Sequence, residues 1–419
     1  MQKDNSAGFR FGSERHALRS EDAPLVTGRG KFTDDLDMAG QVHAAFVRAT
    51  VAHAIIRKVD VARAIMMPGV VAVITGRDLA ADNIGGIAPV ASFNGRDGNP
   101  MFHATMPVLA AERVRYVGEA VAIVIAETAY QAQDAAEAID VQFDQLAVAP
   151  NVERAMAKDA VAIWPDAPGN IALDWEDGDA AAVDAAFARA AHIERVRLID
   201  TRLAPSAMEP RAAIASFDVH AQRYTLIAPT QGVAVLRKVL AESVFKVPLS
   251  QMRVLTHDVG GGFGMKVQIY SEYAAMLCAA RRVGRPVKWC ASRLESFLTD
   301  THGRDGVLEG ELALDAAGKF LGLRARTFVG IGAYTSTYAA IIATNNTKNC
   351  LSSVYVIPAI HIGVKMVLTN AVPLGPYRGA GRPEAIYVIE RLIDKAAQAM
   401  NIDPAELRLR NFIPPSAMP

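Results

Sequence analysis

The segment best suited to chemistry is Gly260 to Gly264, with the sequence Gly-Gly-Gly-Phe-Gly. Glycines allow backbone N–H groups to approach an anionic group closely, and the start of a helix carries partial positive charge. A loop of this kind between a strand and a helix can therefore hold an anionic cofactor. A tight turn without a ligand explains adjacent glycines equally well, so the loop alone leaves both interpretations open.

Two known nucleotide-binding patterns can be tested against this glycine loop. A dinucleotide fingerprint that begins at Gly262 requires a small residue at position 267, where the sequence has Val267. The phosphate loop requires Gly-Lys-Ser/Thr, whereas Met265, Lys266 and Val267 follow the glycines. Both patterns fail, which disfavours a nucleotide-dependent oxidoreductase.

A second glycine-rich segment, Gly375 to Pro383, contains Arg378 and Arg382 and also leads into a predicted helix. We call it the arginine loop. Taken alone, it is typical of a surface turn with solvated arginines.

Helices and strands alternate around both loops. Helices are predicted at Val233 to Val247, from the glycine loop to about Arg282, at Pro383 to Met400 and from Asp403, with a strand at Met252 to Val259. The first helix is predicted from apolar residues at every third or fourth position, and the second is expected to end before Gly284 and Pro286. These elements would place both loops at helix starts.

The front of the chain is also mixed. Strands are predicted at Val42 to Val47, Val70 to Thr75 and Val117 to Ala126, and a helix at Thr128 to Ile139. The predicted fold class is α+β, with a tail at 1–21, a small α/β domain at 22–145, a linker at 146–170 and a larger α+β domain at 171–419. Because the linker is rich in Asp, Ala, Pro and Gly, we expect it to bury little and to separate two cores.

Composition excludes several classes of protein. Lys+Arg 44 balances Asp+Glu 44, so no net positive charge attracts nucleic acid. No segment has about 18 uncharged apolar residues, so a membrane span is not expected and a cytoplasmic location is predicted. Cys278, Cys290 and Cys350 lie far apart, which predicts that any iron-sulfur cluster lies on another chain.

Several motifs in order resemble one family. They are Gly28 to Phe32, Ala52 to Ala54, Pro68 to Val73, Tyr116 to Val121, Thr230-Gln231, Gly260 to Gly264 and Tyr377 to Gly381. Together they resemble the molybdenum-cofactor-binding large subunit of the xanthine dehydrogenase/aldehyde oxidase/carbon monoxide dehydrogenase family, over about residues 22–419. The front is similar to that family's a/b hammerhead domain, and the rest to its first molybdopterin-binding domain.

The resemblance implies a molybdenum hydroxylase. In such enzymes, water activated at molybdenum supplies oxygen to a carbon centre, which suggests an aldehyde or an N-heterocycle as substrate. Two electrons leave through 2Fe-2S clusters to FAD, carried by a small and a medium partner subunit. The implied cofactor is molybdenum-molybdopterin in its cytosine dinucleotide form.

The resemblance also implies roles for individual residues. Gln231 resembles the glutamine that hydrogen-bonds to an oxygen ligand of molybdenum, Phe263 and Gly264 resemble backbone contacts to the metal centre, and Arg378 lies on the loop facing it. The implied cofactor-binding residues are Gln231, Gly262, Phe263, Gly264, Arg378, Gly379 and Ala380, of which Gln231, Phe263 and Arg378 lie near molybdenum without being side-chain ligands. A Cβ at Gly264 is expected to intrude on the cofactor's oxygen ligands.

Three implied substrate positions depart from purine-oxidising members. Val267 replaces their glutamate, Asn346 falls where their arginine lies, and Ala380 replaces an aromatic that often clamps the substrate. Purine oxidation is disfavoured, and a bulkier substrate or a different clamp stay open. Carbon monoxide dehydrogenases carry a copper-holding cysteine where this chain has Gly379, which disfavours carbon monoxide oxidation, although the loop resembles relatives that lack the cysteine.

The end of the chain is the largest departure. In the family, Asn411 to Pro415 leads into a second molybdopterin-binding domain that supplies the general base, whereas this chain ends at Pro419. No catalytic residue is therefore expected here, and a second polypeptide is expected to complete the site. The alternatives are a truncated homologue that acts only as a docking scaffold, which the intact glycines disfavour, and a carbon monoxide dehydrogenase-like subunit.

Overall fold

Strands and helices alternate through residues 19–418, the part of the chain that the computed structural model describes. The strands are β1 (Val42–Arg48), β2 (Ala54–Asp60), β3 (Val70–Thr75), β4 (Arg113–Val114), β5 (Ala120–Ala126), β6 (Asp140–Gln145), β7 (Ile171–Gly178), β8 (His192–Asp200), β9 (Ala212–Asp218), β10 (Arg223–Ile227), β11 (Met252–Leu255), β12 (Val287–Cys290), β13 (Gly306–Leu314), β14 (Phe320–Gly332) and β15 (Ile360–Leu368). The helices are α1 (Asp22–Val26), α2 (Ala62–Ile65), α3 (Gly76–Ala81), α4 (Ala129–Glu137), α5 (Val152–Ala155), α6 (Ala180–Ala188), α7 (Val233–Val239), α8 (Ser271–Val283), α9 (Arg293–Thr299), α10 (Ala339–Ile341), α11 (Arg382–Met400) and α12 (Pro404–Asn411). The α+β class is confirmed, and most of the predicted tail at 1–21 lies outside the described residues.

Local capping explains why most helix boundaries could be predicted. Gly284 ends α8 in the left-handed conformation, and the Asp403 side chain accepts hydrogen bonds at the start of α12. The predicted helix at 233–247 is shorter as an α-helix, because a π-helical turn, Leu240–Phe245, follows α7. Within the described residues, no helix combines the length and the apolar character needed to cross a membrane.

The central sheet joins the two predicted domains. It has seven strands in the order β11-β10-β9-β12-β1-β5-β3, so the strands β1, β3 and β5 of the front part lie beside four strands of the later part. The junction is the parallel pair β1–β12, with Val42 opposite Val287. The prediction of separate cores is wrong here, because each part offers an open sheet edge and the two edges satisfy each other's backbone groups.

The other two sheets do belong to single parts of the chain. A five-stranded sheet has the order β7-β15-β14-β13-β8, and a three-stranded sheet the order β4-β2-β6. Helix α11 covers the larger of the two, and a Cβ on Gly310 of β13 would lie 2.6 Å from Val388 Cγ1. Because α11 begins at Arg382, inside the arginine loop, the packing of α11 on this sheet positions the end of that loop.

The predicted linker, residues 146–170, buries more than its composition suggests. Ile163 is fully buried, and Asn170, 2% exposed, donates to the carbonyls of Ala155 and Val161. The Asn170 side chain also accepts from the N–H of Ile163. The expectation that this stretch has little to bury is wrong, because the buried Asn170 side chain connects three of its backbone segments by hydrogen bonds. The boundaries at 145 and 171 stay predictions.

Glu119 is a buried carboxyl just before β5, and its partner Tyr334 follows the end of β14. The Tyr334 hydroxyl donates to its Oε1, and the Arg115 N–H donates to its Oε2 at 2.6 Å. Burial raises the pKa of Glu119 to about 7. This pKa lies above the pKa of Glu119 in the unfolded chain. Protonated Glu119 therefore contributes stability that is fully present below the unfolded-chain pKa and is lost as the pH rises through 7.

We therefore predict a pH-dependent gain for Glu119→Gln, which keeps the shape but cannot ionise. Between about pH 5 and pH 8, its free energy of unfolding relative to the wild type should rise by roughly 2 to 3 kcal/mol. Urea unfolding at both pH values measures this difference. Glu137→Gln, which changes an exposed carboxylate of α4, should show no such trend, and a flat difference for Glu119→Gln would contradict the prediction.

Candidate functional site

The glycine loop lies between β11 and a 3₁₀ turn, Met265–Val267, and bends through positive φ angles at Gly261 (96°), Phe263 (52°) and Gly264 (96°). The helix α8 begins only at Ser271, so the expected helix N-terminus at the loop is wrong. In the described part of the chain, the N–H groups of Gly261, Gly262 and Phe263 donate no hydrogen bond. Successive free amides in such a bend form a concave anion-binding surface without a helix.

Gln231 lies against this loop. Its side-chain Oε1 accepts a hydrogen bond from the Gly264 N–H at 2.9 Å, and its backbone N–H donates to the Lys266 carbonyl at 3.0 Å. A Cβ at Gly262 would lie 2.5 Å from Gln231 Cδ. Position 262 is therefore glycine because the side chain of Gln231 occupies the space of a Cβ.

The arginine loop packs directly on the glycine loop. The Arg378 N–H donates to the Phe263 carbonyl at 2.9 Å, and a Cβ at Gly264 would lie 2.9 Å from the Pro376 carbonyl oxygen. The Cβ direction of Gly264 thus points to the arginine loop, which corrects the expectation that it points to the cofactor. Arg304, which pairs with Glu384, braces this loop by donating to the Arg378 carbonyl at 2.9 Å.

The three implied substrate positions also lie at these loops. Asn346 Nδ2 donates to the Ala380 carbonyl at 2.9 Å, so this amide group supports the arginine loop. Val267 lies beside Gly232, whose Cβ would be 3.1 Å from Val267 Cγ2. The structure therefore gathers the predicted site residues around two touching loops, and their substrate roles stay predictions.

A buried ion pair beneath the glycine loop was missed by sequence reasoning. Lys266 Nζ lies 2.8 Å from Glu209 Oε2, and the same oxygen accepts from the Gly260 N–H at 2.8 Å. The Lys266 carbonyl accepts from the Thr230 hydroxyl and from the Gln231 N–H, both at 3.0 Å. The pair thus holds the first glycine and Gln231 together. A charged residue inside an apolar stretch was the available signal, but its partner lies 57 positions away.

We predict that Lys266→Met lowers the free energy of unfolding by about 3 kcal/mol, because it leaves Glu209 partly buried without its cation. Lys266 is 0% exposed, and burial lowers its pKa while Glu209 opposes the shift. Chemical denaturation at neutral pH measures the loss. Arg154→Met, which breaks an exposed pair with Asp159, is the control and should change little. An equal effect of both variants would contradict a structural role of the buried pair.

Comparisons with known protein families agree with this geometry. The family model described as aldehyde oxidase and xanthine dehydrogenase, a/b hammerhead domain, matches residues 27–147. The model described as molybdopterin cofactor-binding domain matches residues 163–412 and includes both loops. The chain belongs to the xanthine dehydrogenase/aldehyde oxidase/carbon monoxide dehydrogenase family. It is the hammerhead and first molybdopterin-binding parts of that family's large subunit that are present.

Similar family members differ in how much of their own length this chain covers. The chain is 36% identical to the carbon monoxide dehydrogenase large chain of Hydrogenophaga pseudoflava, covering 96% of this chain and 50% of that one. The crystal structure of quinoline 2-oxidoreductase from Pseudomonas putida 86 superposes with a TM-score of 0.87 at 33% identity, again over 96% of this chain and 50% of that chain. The chain thus spans about half the length of these relatives. By contrast, it covers 88% of the nicotinate dehydrogenase large molybdopterin subunit of Eubacterium barkeri, at 28% identity.

The residues present fit the cofactor that the family binds. The N–H groups of Gly261, Gly262 and Phe263 are free in the described part of the chain, and anionic groups are the ligands such bends hold. The side chains of Gln231 and Arg378 are exposed at the same place, where they can donate to oxygen atoms. A bend with free amides and two exposed donors suits a phosphate- and oxygen-rich group.

Proposed function

We propose that this chain is the molybdenum-cofactor-binding first half of a molybdenum hydroxylase large subunit. The proposed enzyme oxidises an aldehyde or an N-heterocycle with water as the oxygen source. The observation that carries the proposal is the contact of the two loops, in which the Arg378 N–H donates to the Phe263 carbonyl. Beside this contact, the Gly264 N–H donates to Gln231 Oε1. We favour the enzyme over the scaffold because backbone N–H groups that are free in the described part of the chain and the exposed side chains of Gln231 and Arg378 lie together at this contact.

The chain's own residues would hold and orient the cofactor. Molybdenum-molybdopterin supplies the oxygen-transfer and two-electron chemistry when it is bound. The free amides of Gly261 and Gly262 would bind its oxygen-rich groups, and Gln231 would donate from Nε2, because its Oε1 is held by Gly264. Arg378 would add a positive charge at the same oxygens. The loop amides and the Gln231 side chain are held in place before binding, which is the arrangement that stabilises developing negative charge.

A second molybdopterin-binding half would complete the enzyme and supply the general base. Two observations support this part of the proposal. The chain covers half of the carbon monoxide dehydrogenase large chain but most of the nicotinate dehydrogenase large molybdopterin subunit, so a subunit of about this length exists in the family. The proposed 2Fe-2S small subunit, FAD medium subunit and cytosine dinucleotide form of the cofactor follow from the family resemblance alone. The proposed cytoplasmic location stays a prediction from the apolar pattern of the sequence.

Carbon monoxide is disfavoured as a substrate in spite of the 36% identity to a carbon monoxide dehydrogenase. The position that would carry a copper-holding cysteine is Gly379, which has a φ of 99°. A Cβ there would collide with the ring of Pro383, which cannot move away as a flexible side chain could. A larger residue at position 379 would therefore require the arginine loop to change shape.

The test is the molybdenum content of the purified chain, alone and together with the second half. We expect far less than one molybdenum per chain when residues 1–419 are expressed alone, because the missing half removes many of the cofactor's hydrogen-bond partners. The complex with the second half should contain molybdenum and oxidise an aldehyde or N-heterocycle with an artificial dye as electron acceptor. A complete complex without molybdenum would overturn the proposed function.

A further inference from the structure

The helix α9 turns its apolar side outward. Leu294, Phe297 and Leu298, at positions i, i+3 and i+4, are 75%, 44% and 45% exposed. The polar residues Ser296 and Thr299 face inward and are 2% and 3% exposed. An amphipathic helix on a protein surface normally shows the opposite pattern, with its apolar stripe in the core.

Neighbouring loops enlarge this apolar surface. Arg293, at the start of α9, donates to the carbonyls of Ala207 and Met208 at 2.6 and 3.0 Å, and Met208 is 91% exposed. On the other flank, a Cβ at Gly118 would lie 2.9 Å from the Leu298 carbonyl oxygen. Exposed apolar groups that adjoin one another mark interaction sites more often than isolated ones do. We call Met208, Leu294, Phe297 and Leu298 the α9 patch.

The α9 patch is connected to the glycine loop at one end. Met208 is followed by Glu209, whose N–H donates to the Gly260 carbonyl at 3.0 Å and whose Oε2 accepts from the Gly260 N–H. Met208 is therefore one residue along the chain from a direct contact with the glycine loop.

The other end of the patch is connected to the arginine loop. His302 Nε2 lies 3.2 Å from the Phe297 carbonyl oxygen, and the His302 carbonyl accepts from the Gly375 N–H at 2.8 Å. A Cβ at Gly303 would lie 2.5 Å from Tyr377 Cβ. The α9 patch thus adjoins both loops that form the candidate cofactor site.

A cavity of about 530 Å³ continues the patch away from the loops. Leu298 and Glu295 of α9 form one wall, and Phe46 and Trp289 of the central sheet form another. The two aromatic rings meet edge to face with centroids 5.3 Å apart. Charged side chains, among them Arg48 and Lys288, line other parts of the cavity, so it offers room for a partner side chain that has both apolar and polar parts.

We propose that the α9 patch is the docking surface for the second molybdopterin-binding half, an inference that rests on the proposed function. The relatives of known structure are twice as long as this chain, so a further half of similar size must lie against some surface of it. Because the patch adjoins both site loops, the body that completes the cofactor site also covers the patch. A second copy of this chain would bury apolar surface but would not add the missing half of the site.

The experiment measures the accessibility of position 297. Phe297→Cys and the control Ile65→Cys, at an exposed apolar position of α2, are labelled with a maleimide, and the modified peptides are located by mass spectrometry. Both cysteines should react in residues 1–419 alone. In the enzyme purified with its second half, whether that half is a separate polypeptide or continuous with this chain, position 297 should be protected and position 65 should stay reactive. Leu294→Cys repeats the measurement one turn away.

The outcomes separate the inference from the proposed function. A complete enzyme that contains molybdenum and still reacts at position 297 overturns the inference and leaves the function intact. Protection by a second copy, or by the 2Fe-2S subunit in a complex that lacks the second half, also overturns it. Leu294→Glu should lower the yield of the assembled enzyme by at least about tenfold, whereas Ile65→Glu should not, because a buried unpaired charge costs far more than an exposed one. Absence of a second half from the wild-type enzyme would instead refute the proposed function.

Discussion

Arg211→Met is expected to lower the free energy of unfolding by about 5 kcal/mol, because it strands two buried carboxylates at once. Arg211 is 0% exposed and donates to Glu272 Oε2 at 2.9 Å, to Asp300 and to the Thr299 hydroxyl. Its guanidinium also lies 3.8 Å from the centre of the Tyr270 ring. The arginine therefore joins β9, α8 and the end of α9 behind the glycine loop.

The expected loss depends on pH through Glu272. Burial alone would raise its pKa, but the cations of Arg211 and Arg48 outweigh burial and hold the pKa at about 2. Because its pKa is lower in the folded protein than in the unfolded chain, ionised Glu272 contributes stability above the unfolded-chain pKa. This contribution is lost as the pH falls towards 2. The defect of Arg211→Met should therefore be largest at neutral pH and shrink below about pH 4.

Urea unfolding at pH 7 and pH 3 measures both parts of this prediction. Arg326→Met is a matched control, since Arg326 is 58% exposed and its nearest carboxylate oxygens are 3.9 and 4.0 Å away. It should change stability by less than about 1 kcal/mol at either pH. If Arg211→Met were equally mild, the buried cluster would not hold these elements together.

Local signals explain what the sequence could predict. The ends of α8 and α12 follow from Gly284 and Asp403, whose effect on the backbone needs no distant partner. The glycine loop is recognisable for the same reason, because positive φ at Gly261 and Gly264 demands glycine. Features that depend on a few neighbouring residues were therefore within reach.

Features that depend on distant partners could not be predicted from the sequence. The pair β1–β12 joins segments about 245 positions apart, and the apolar pattern of each strand does not identify the strand with which it pairs. The same holds for the Glu209–Lys266 pair and for the direction of the Gly264 Cβ, which is set by the contact with Pro376. A substitution at Gly264 would strain the backbone and separate the two loops, so it cannot test the cofactor contact by itself.

Gly262→Ala tests that contact more cleanly. The added Cβ would lie 2.5 Å from Gln231 Cδ and 2.6 Å from its Oε1, atoms at the far end of a flexible side chain that can swing away. No positive φ occurs at position 262, so the backbone itself tolerates alanine. The fold should survive, while Gln231 loses its hydrogen bond to the Gly264 N–H. A donor displaced by about 1 Å can cost roughly a hundredfold in turnover, and we expect molybdenum content to fall as well.

The measurements are melting temperature, molybdenum content and dye-linked turnover of the assembled enzyme. Gly363→Ala is the control, because it adds a Cβ in β15 that meets only the end of the Arg96 side chain at 3.3 Å. The double variant Gly262→Ala, Gln231→Ala decides the mechanism. If Gly262→Ala acts by moving Gln231, the double variant should be no worse than Gln231→Ala alone, because the two changes remove the same interaction. Additive losses would mean that the glycine loop binds the cofactor independently of Gln231, and unchanged metal and turnover in Gly262→Ala would refute the cofactor contact.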